Sequence, residues 1–205
     1  MVDRSRQDVI VYARTFDGLG AAPERREAYL ALIAPIESSH LRDAMIKMSG
    51  CALVQRGILR QFIEHPRLEE SYVISRAVAD LVDIAREAGG AYAWKGSDDP
   101  EHRRPEPGDI LVVGGGADGG GPEHAYMVLK IEDSPDEDGA LVVVGLDGGQ
   151  LDEGNHQVIT VRRHTLIDGA DRAESANDPG GGAARKIRFM LDLGAILEAF
   201  GREGE

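Results

Sequence analysis

Pro107-Gly-Asp-Ile-Leu-Val-Val113 is the stretch at which this chain changes period. From Asp109 onward, short runs rich in β-branched residues replace helical spacing: Ile110-Leu-Val-Val113, Ala125-Tyr-Met-Val-Leu129 and Leu141-Val-Val-Val144. Turn residues separate these runs, which is the pattern of strands. Gln157-Val-Ile-Thr-Val161 alternates, and Lys186-Ile-Arg-Phe-Met190 reads as a last strand before a short C-terminal helix over 193–200. Upstream, apolar residues recur at helical spacing over 8–14, 23–33, 41–48, 51–62 and 69–88. The last of these carries Val73, Ile74, Val78, Leu81, Val82 and Ile84 on one side and is stopped by Gly89-Gly90. Helices first and antiparallel strands afterwards predict an α+β fold, a helical N-terminal half packed on an antiparallel sheet of about five strands.

At 205 residues the chain suits one domain with its own core. Residues 1–34 read as a helical N-terminal extension and 35–205 as the main domain, the two forming one compact unit. A net charge of −13 leaves no basic stripe to neutralise phosphates, so nucleic acid is not an expected partner. No apolar run is long enough to span a bilayer. The charged N-terminus lacks an apolar core of secretory type, so the expectation is a cytoplasmic protein or one exported without a cleavable signal peptide. The Gly-rich stretches 114–121 and 180–182 read as loops, and neither has the strand-Gly-helix context of a phosphate loop.

Cys51 is the single cysteine, which excludes an internal disulfide and a cysteine-cluster metal site. It follows Ser49-Gly50 and opens an apolar helical segment. Ser49 offers an N-capping hydroxyl there. A thiol in a first helical turn meets unpaired N–H groups and the positive end of the helix dipole, which favour thiolate. Cysteine hydrolysis also needs an imidazole to manage the proton and a polar group to orient that imidazole. Of six histidines, His124 is the best base, since it opens a strand after a Gly-rich loop. His40, His65, His102 and His164 lie in polar or turn-rich surroundings and read as exposed. For the orienting group, Asp147 ends the next strand before Gly148-Gly149 and is preferred, because a carboxylate stabilises the imidazolium better than an amide does; Gln150 offers an uncharged alternative. Asn155 and His156 open the strand after that. No metal-binding spacing is visible, so neither metal nor cofactor is expected. A lone cysteine is also commonly a small core hydrophobe.

Ser49-Gly-Cys51, Pro107-Gly-Asp-Ile110, Glu123-His-Ala-Tyr-Met-Val128 and Asp147-Gly-Gly-Gln150 together resemble the NlpC-type and CHAP-type peptidoglycan hydrolases, over about residues 35–199. The resemblance implies a papain-like α+β domain with Cys51 as nucleophile, His124 as base, and Asp147 or Gln150 as orienting residue. It implies a peptide or peptidoglycan-stem substrate whose amide bond is cleaved through an acyl-enzyme thioester. The chain departs from that pattern in lacking an export signal and wall-binding repeats, and in its helical N-terminal extension. Acyl transfer by a Cys-His-Asp set, and a binding module with an inactive site, are the other readings the same residues allow.

Overall fold

A computed structural model describes residues 5–47, 50–71, 76–94, 103–114, 124–133, 140–167, 170–173 and 184–202. Among the described residues six helices come first: α1 (Arg6–Arg14), α2 (Arg26–Ile33), α3 (Ser39–Met45), α4 (Cys51–Leu59), α5 (Pro66–Glu69) and α6 (Ala77–Glu87). The strands β1 (Ala91–Ala93), β2 (Ile110–Gly114), β3 (His124–Asp133), β4 (Leu141–Leu151), β5 (Gln157–Ile167), β6 (Ala170–Ala173) and β7 (Arg185–Leu191) follow, and α7 (Leu193–Phe200) closes the described chain.

The strands close on themselves. β2, β3, β4, β5 and β6 pair in order, β7 pairs with both β6 and β2, and every pairing is antiparallel. This six-stranded barrel carries β1 as an added strand, which shares one edge of β7 with β6. The expected papain-like α+β architecture, a helical half on an open sheet of about five strands, is therefore corrected: the sheet is a closed barrel with a seventh strand. The sequence signal missed β6 because Ala170-Asp-Arg-Ala173 is short, half charged and free of β-branched residues. Barrel closure also depends on the pairing of Ala170 with Lys186 and Asp171 with Arg185, for which local periodicity carries no sign.

Two cores follow from the period of two along each strand. Ile110, Val112, Ala125, Met127, Leu129, Leu146, Ile159 and Leu191 face outward and pack with the helices. Leu111, Val113, Tyr126, Val128, Val143, Leu166, Ile187 and Met190 fill the barrel. Ile110-Leu-Val-Val113 is apolar throughout because both faces of β2 are buried. Val9, Ile10 and Ala13 of α1 join the outer core, so the N-terminal helix packs as part of the same body.

The expected helix over 69–88 is interrupted. α5 ends at Glu69, Glu70 is extended, and α6 begins at Ala77. Val73 and Ile74 lie outside the described residues. α4 ends at Leu59, three residues short of its expected end, and all nine of its residues are buried. It is held against the barrel by Gln55 Nε2, which donates to the Leu146 carbonyl at 3.1 Å. Two glycines permit the close approach. A Cβ at Gly57 would overlap the Leu32 carbonyl of α2, and one at Gly148 would lie 2.6 Å from Val54 Cγ2 and 3.0 Å from the Gly50 carbonyl oxygen. The pair Gly148-Gly149 thus matters as absent volume under the start of α4, and Gly149 also adopts a positive φ of 77°.

Gly148→Ala should destabilise the fold by about 1–3 kcal/mol, the usual cost of overpacking a tight contact. The expected observation is a lower urea midpoint at unchanged slope. An unchanged midpoint would mean that α4 does not rest on β4 as described.

Candidate active site

α4 delivers the thiol. Its N-cap is Gly50, with no side-chain capping bond, so the first-turn amides are not claimed by a capping side chain. Ser49 lies outside the described residues. Cys51 is the first helical residue, 5% exposed and not in a disulfide.

β3 delivers the imidazole. His124 opens the strand opposite Val113 and is 8% exposed. Tyr126, two residues on and on the same face, pairs with Asp147 of β4. Asp147 is therefore the diagonal cross-strand neighbour of His124, within reach of a long side chain. His124 Nε2 stands 2.5 Å from Asp147 Oδ1. The His124 side chain is also hydrogen-bonded to that of Cys51. With Nε2 engaged by the carboxylate, Nδ1 is the ring nitrogen left to exchange a proton with the thiol.

The electrostatics follow from burial and pairing. Burial alone would push the His124 imidazole below its ordinary value of 6.5, but hydrogen bonds to Asp147 and Cys51, with their charges, raise it to about 9. Asp147 has no exposure. Burial would raise its carboxyl, yet the charge of His164 and the hydrogen bonds from His124 and His164 hold it far below the usual carboxylate range. Beside the first turn of α4, a Cβ on Gly50 would overlap the Tyr29 hydroxyl. Among the described residues that buried hydroxyl has no hydrogen-bond partner. Burial, then the charge of Cys51, raise its pKa, so it stays an O–H donor.

Cys51, His124 and Asp147 are thus brought together. Gln150 is not part of the group: its Oε1 accepts from Arg162 Nη1 at 2.8 Å. His156 sits by Asp152 at 3.3 Å, away from the group, and Asn155 occupies a turn with φ 61°. His40 is exposed, and His102 lies outside the described residues. Two expected surface histidines are buried instead. His65 caps α5 and contacts Glu87 at 3.0 Å. His164 is fully buried inside the barrel, with Nε2 2.7 Å from Asp147 Oδ2. The neighbours Arg162-Arg163-His164 disguised it, since β5 alternates and only every second residue points inward. Alternation puts His164 on the face of Leu166, which fills the barrel, and Arg163 on the other face; that is the signal the sequence offered.

Among the described residues no group of three or more His, Cys, Asp or Glu side chains is arranged to hold a metal ion. Among them, too, no helix is long and apolar enough to cross a membrane. No family model, curated protein or solved structure matches the chain.

His124 and His164 are both raised to about 9 in the fold. A raised value contributes stability that is complete below the unfolded value of about 6.5 and is lost as pH climbs through the folded value. Asp147, being depressed, contributes above about pH 3.9 and loses that contribution only in strong acid. The melting temperature should therefore be level from about pH 5 to about pH 6.5 and decline toward pH 9 and above. A melting curve unchanged up to about pH 10 would contradict the paired imidazolium ions.

Proposed function

We propose that this chain is a cysteine amide hydrolase that works through an acyl-enzyme thioester. One observation carries the reading: a cysteine at a helix N-terminus hydrogen-bonded to a histidine that a buried aspartate grips from behind. Cys51 Sγ attacks the amide carbonyl carbon, forming a C–S bond while the C=O electron pair moves to oxygen. First-turn amides of α4 stabilise that oxyanion. His124, as imidazolium, gives its proton to the leaving amine, and the C–N bond breaks to leave the thioester. Water then attacks, with neutral His124 taking its proton, and Cys51 leaves as thiolate. Asp147 holds the ring and stabilises its charged form. An amine in place of water would make the same steps an acyl transfer.

The substrate class, an amide in a peptide or peptidoglycan stem, rests on the motif resemblance to NlpC-type and CHAP-type amidases. The geometry supports acyl chemistry without selecting among amides.

Incubation of the protein with purified sacculi and with stem tetrapeptides, against Cys51→Ala as control, tests this. Release of stem fragments by wild type alone is the expected result. Fast iodoacetamide labelling of Cys51 well below the ordinary thiol value of about 8.5, without turnover, would move the substrate to another amide or acyl acceptor. Slow labelling together with no turnover would leave a binding module. Given turnover, Asp147→Asn should lower kcat by about 100-fold or more, since it alters the charge and tautomer behind the base. Gln150→Ala, acting only on the Arg162 contact, should change kcat by less than about threefold.

A further inference from the structure

The hydrogen-bonded chain that begins at Cys51 does not end at Asp147. His164 contacts Asp147 Oδ2 through Nε2 at 2.7 Å and Asp171 Oδ1 through Nδ1 at 2.9 Å. Asp171 also accepts from Tyr126 Oη at 3.2 Å and from Arg185 Nη2 at 3.3 Å. These contacts come from β3, β4, β6 and β7, so the cluster ties five of the six barrel strands together through one side chain of β5.

A carboxylate only accepts hydrogen bonds, whereas a neutral imidazole has one donor and one acceptor. Both ring nitrogens of His164 face carboxylates, so both carry hydrogen and the ring is an imidazolium. Its charge is boxed in. Asp147 and Asp171 flank it, and the Tyr126 ring stacks on it with centroids 3.9 Å apart and planes 16° apart. Gly145 leaves room for this stack, because a Cβ there would lie 2.6 Å from Tyr126 Cδ2 and 3.2 Å from His164 Cδ2. From Arg185, whose side chain is 26% exposed, the order Arg185, Asp171, His164, Asp147, His124 alternates in charge up to the thiol.

We infer that His164 is a positioning residue for the Cys51–His124–Asp147 group: it holds Asp147 by Oδ2 so that Oδ1 is presented to His124. The inference rests on the hydrolase reading above. Its support is a cost that packing does not explain. The other inward side chains of the barrel are largely apolar, and replacing a buried ionic cluster with apolar residues is often neutral or stabilising. A cluster that leads from the barrel wall to the imidazole beside the thiol is explained by orientation. Backbone pairing with Tyr126 and Thr160 places Asp147 but does not fix the rotation of its carboxylate. Two bonds, one to each oxygen, do.

The test follows iodoacetamide labelling of Cys51 across pH in wild type, His164→Gln and Asp171→Asn. His164→Gln cannot satisfy both carboxylates. Asp171→Asn keeps the shape on the far side of His164 and serves if His164→Gln does not fold. In a variant with wild-type circular dichroism, the labelling rate at neutral pH should fall about tenfold or more, with the profile displaced toward the ordinary thiol value of about 8.5. In parallel, ¹⁵N-histidine spectra of Cys51→Ala protein should show His164 with both nitrogens protonated at neutral pH. Rapid labelling of wild type with an unchanged profile in a folded variant would overturn the role of His164 while leaving the hydrolase reading intact. A neutral His164 ring would overturn it as well. Wild type that labels no faster than an ordinary thiol and shows no turnover would remove the hydrolase reading, and this inference with it.

Discussion

A carboxylate with no solvent exposure has to be paid for in counter-charge, and Asp147 is matched by two imidazoles, one on each oxygen. That arrangement couples the two halves of the molecule. Through Oδ1 it reaches the histidine that meets the helical layer at Cys51, and through Oδ2 it reaches the interior of the barrel. Removing either imidazole would leave a buried charge short of a partner, which is far more costly than losing a surface ion pair. The barrel lumen is accordingly not uniformly apolar: Asp147, His164 and Asp171 form a polar seam among Leu111, Val113, Val128, Val143, Leu166, Ile187 and Met190.

Placing the thiol is a packing problem solved at a distance from it. α4 is buried along its whole length and therefore cannot shift without disturbing α2, β3 and β4 together. Two of its polar side chains donate to backbone carbonyls, Gln55 to Leu146 and Arg56 to Arg67, which fixes its rotation. Missing side chains at Gly57 and Gly148 fix its depth. Helix depth and strand register together bring Cys51 to His124, and a change of one methyl group at either glycine acts on the site through that path.

Much of this is visible in the residues. The change of period at Asp109, the run Ile110-Leu-Val-Val113 and the helical spacing after Cys51 mark most of the elements. Cys51, His124 and Asp147 stand out because a thiol opening a helix, a histidine opening a strand and an aspartate before two glycines are local features. His164 did not stand out: with Arg162 and Arg163 before it, it has the composition of a surface strand, and its burial depends on which face β5 turns inward.

The sequence by itself marked most of the helices and strands and singled out Cys51, His124 and Asp147 as candidate residues, because propensity, periodicity and turn residues act over a few positions. Tertiary structure alone decided that the sheet closes into a barrel, since closure hinges on β6 meeting β7 across residues 174–184. It set Asp147, the residue already preferred for its charge, and not Gln150 against His124, because side-chain reach is set by cross-strand register. And it alone brought His164, Asp171 and Arg185 into line behind Asp147. Those residues meet through side-chain reach inside a closed lumen, a distance that no spacing along the chain encodes.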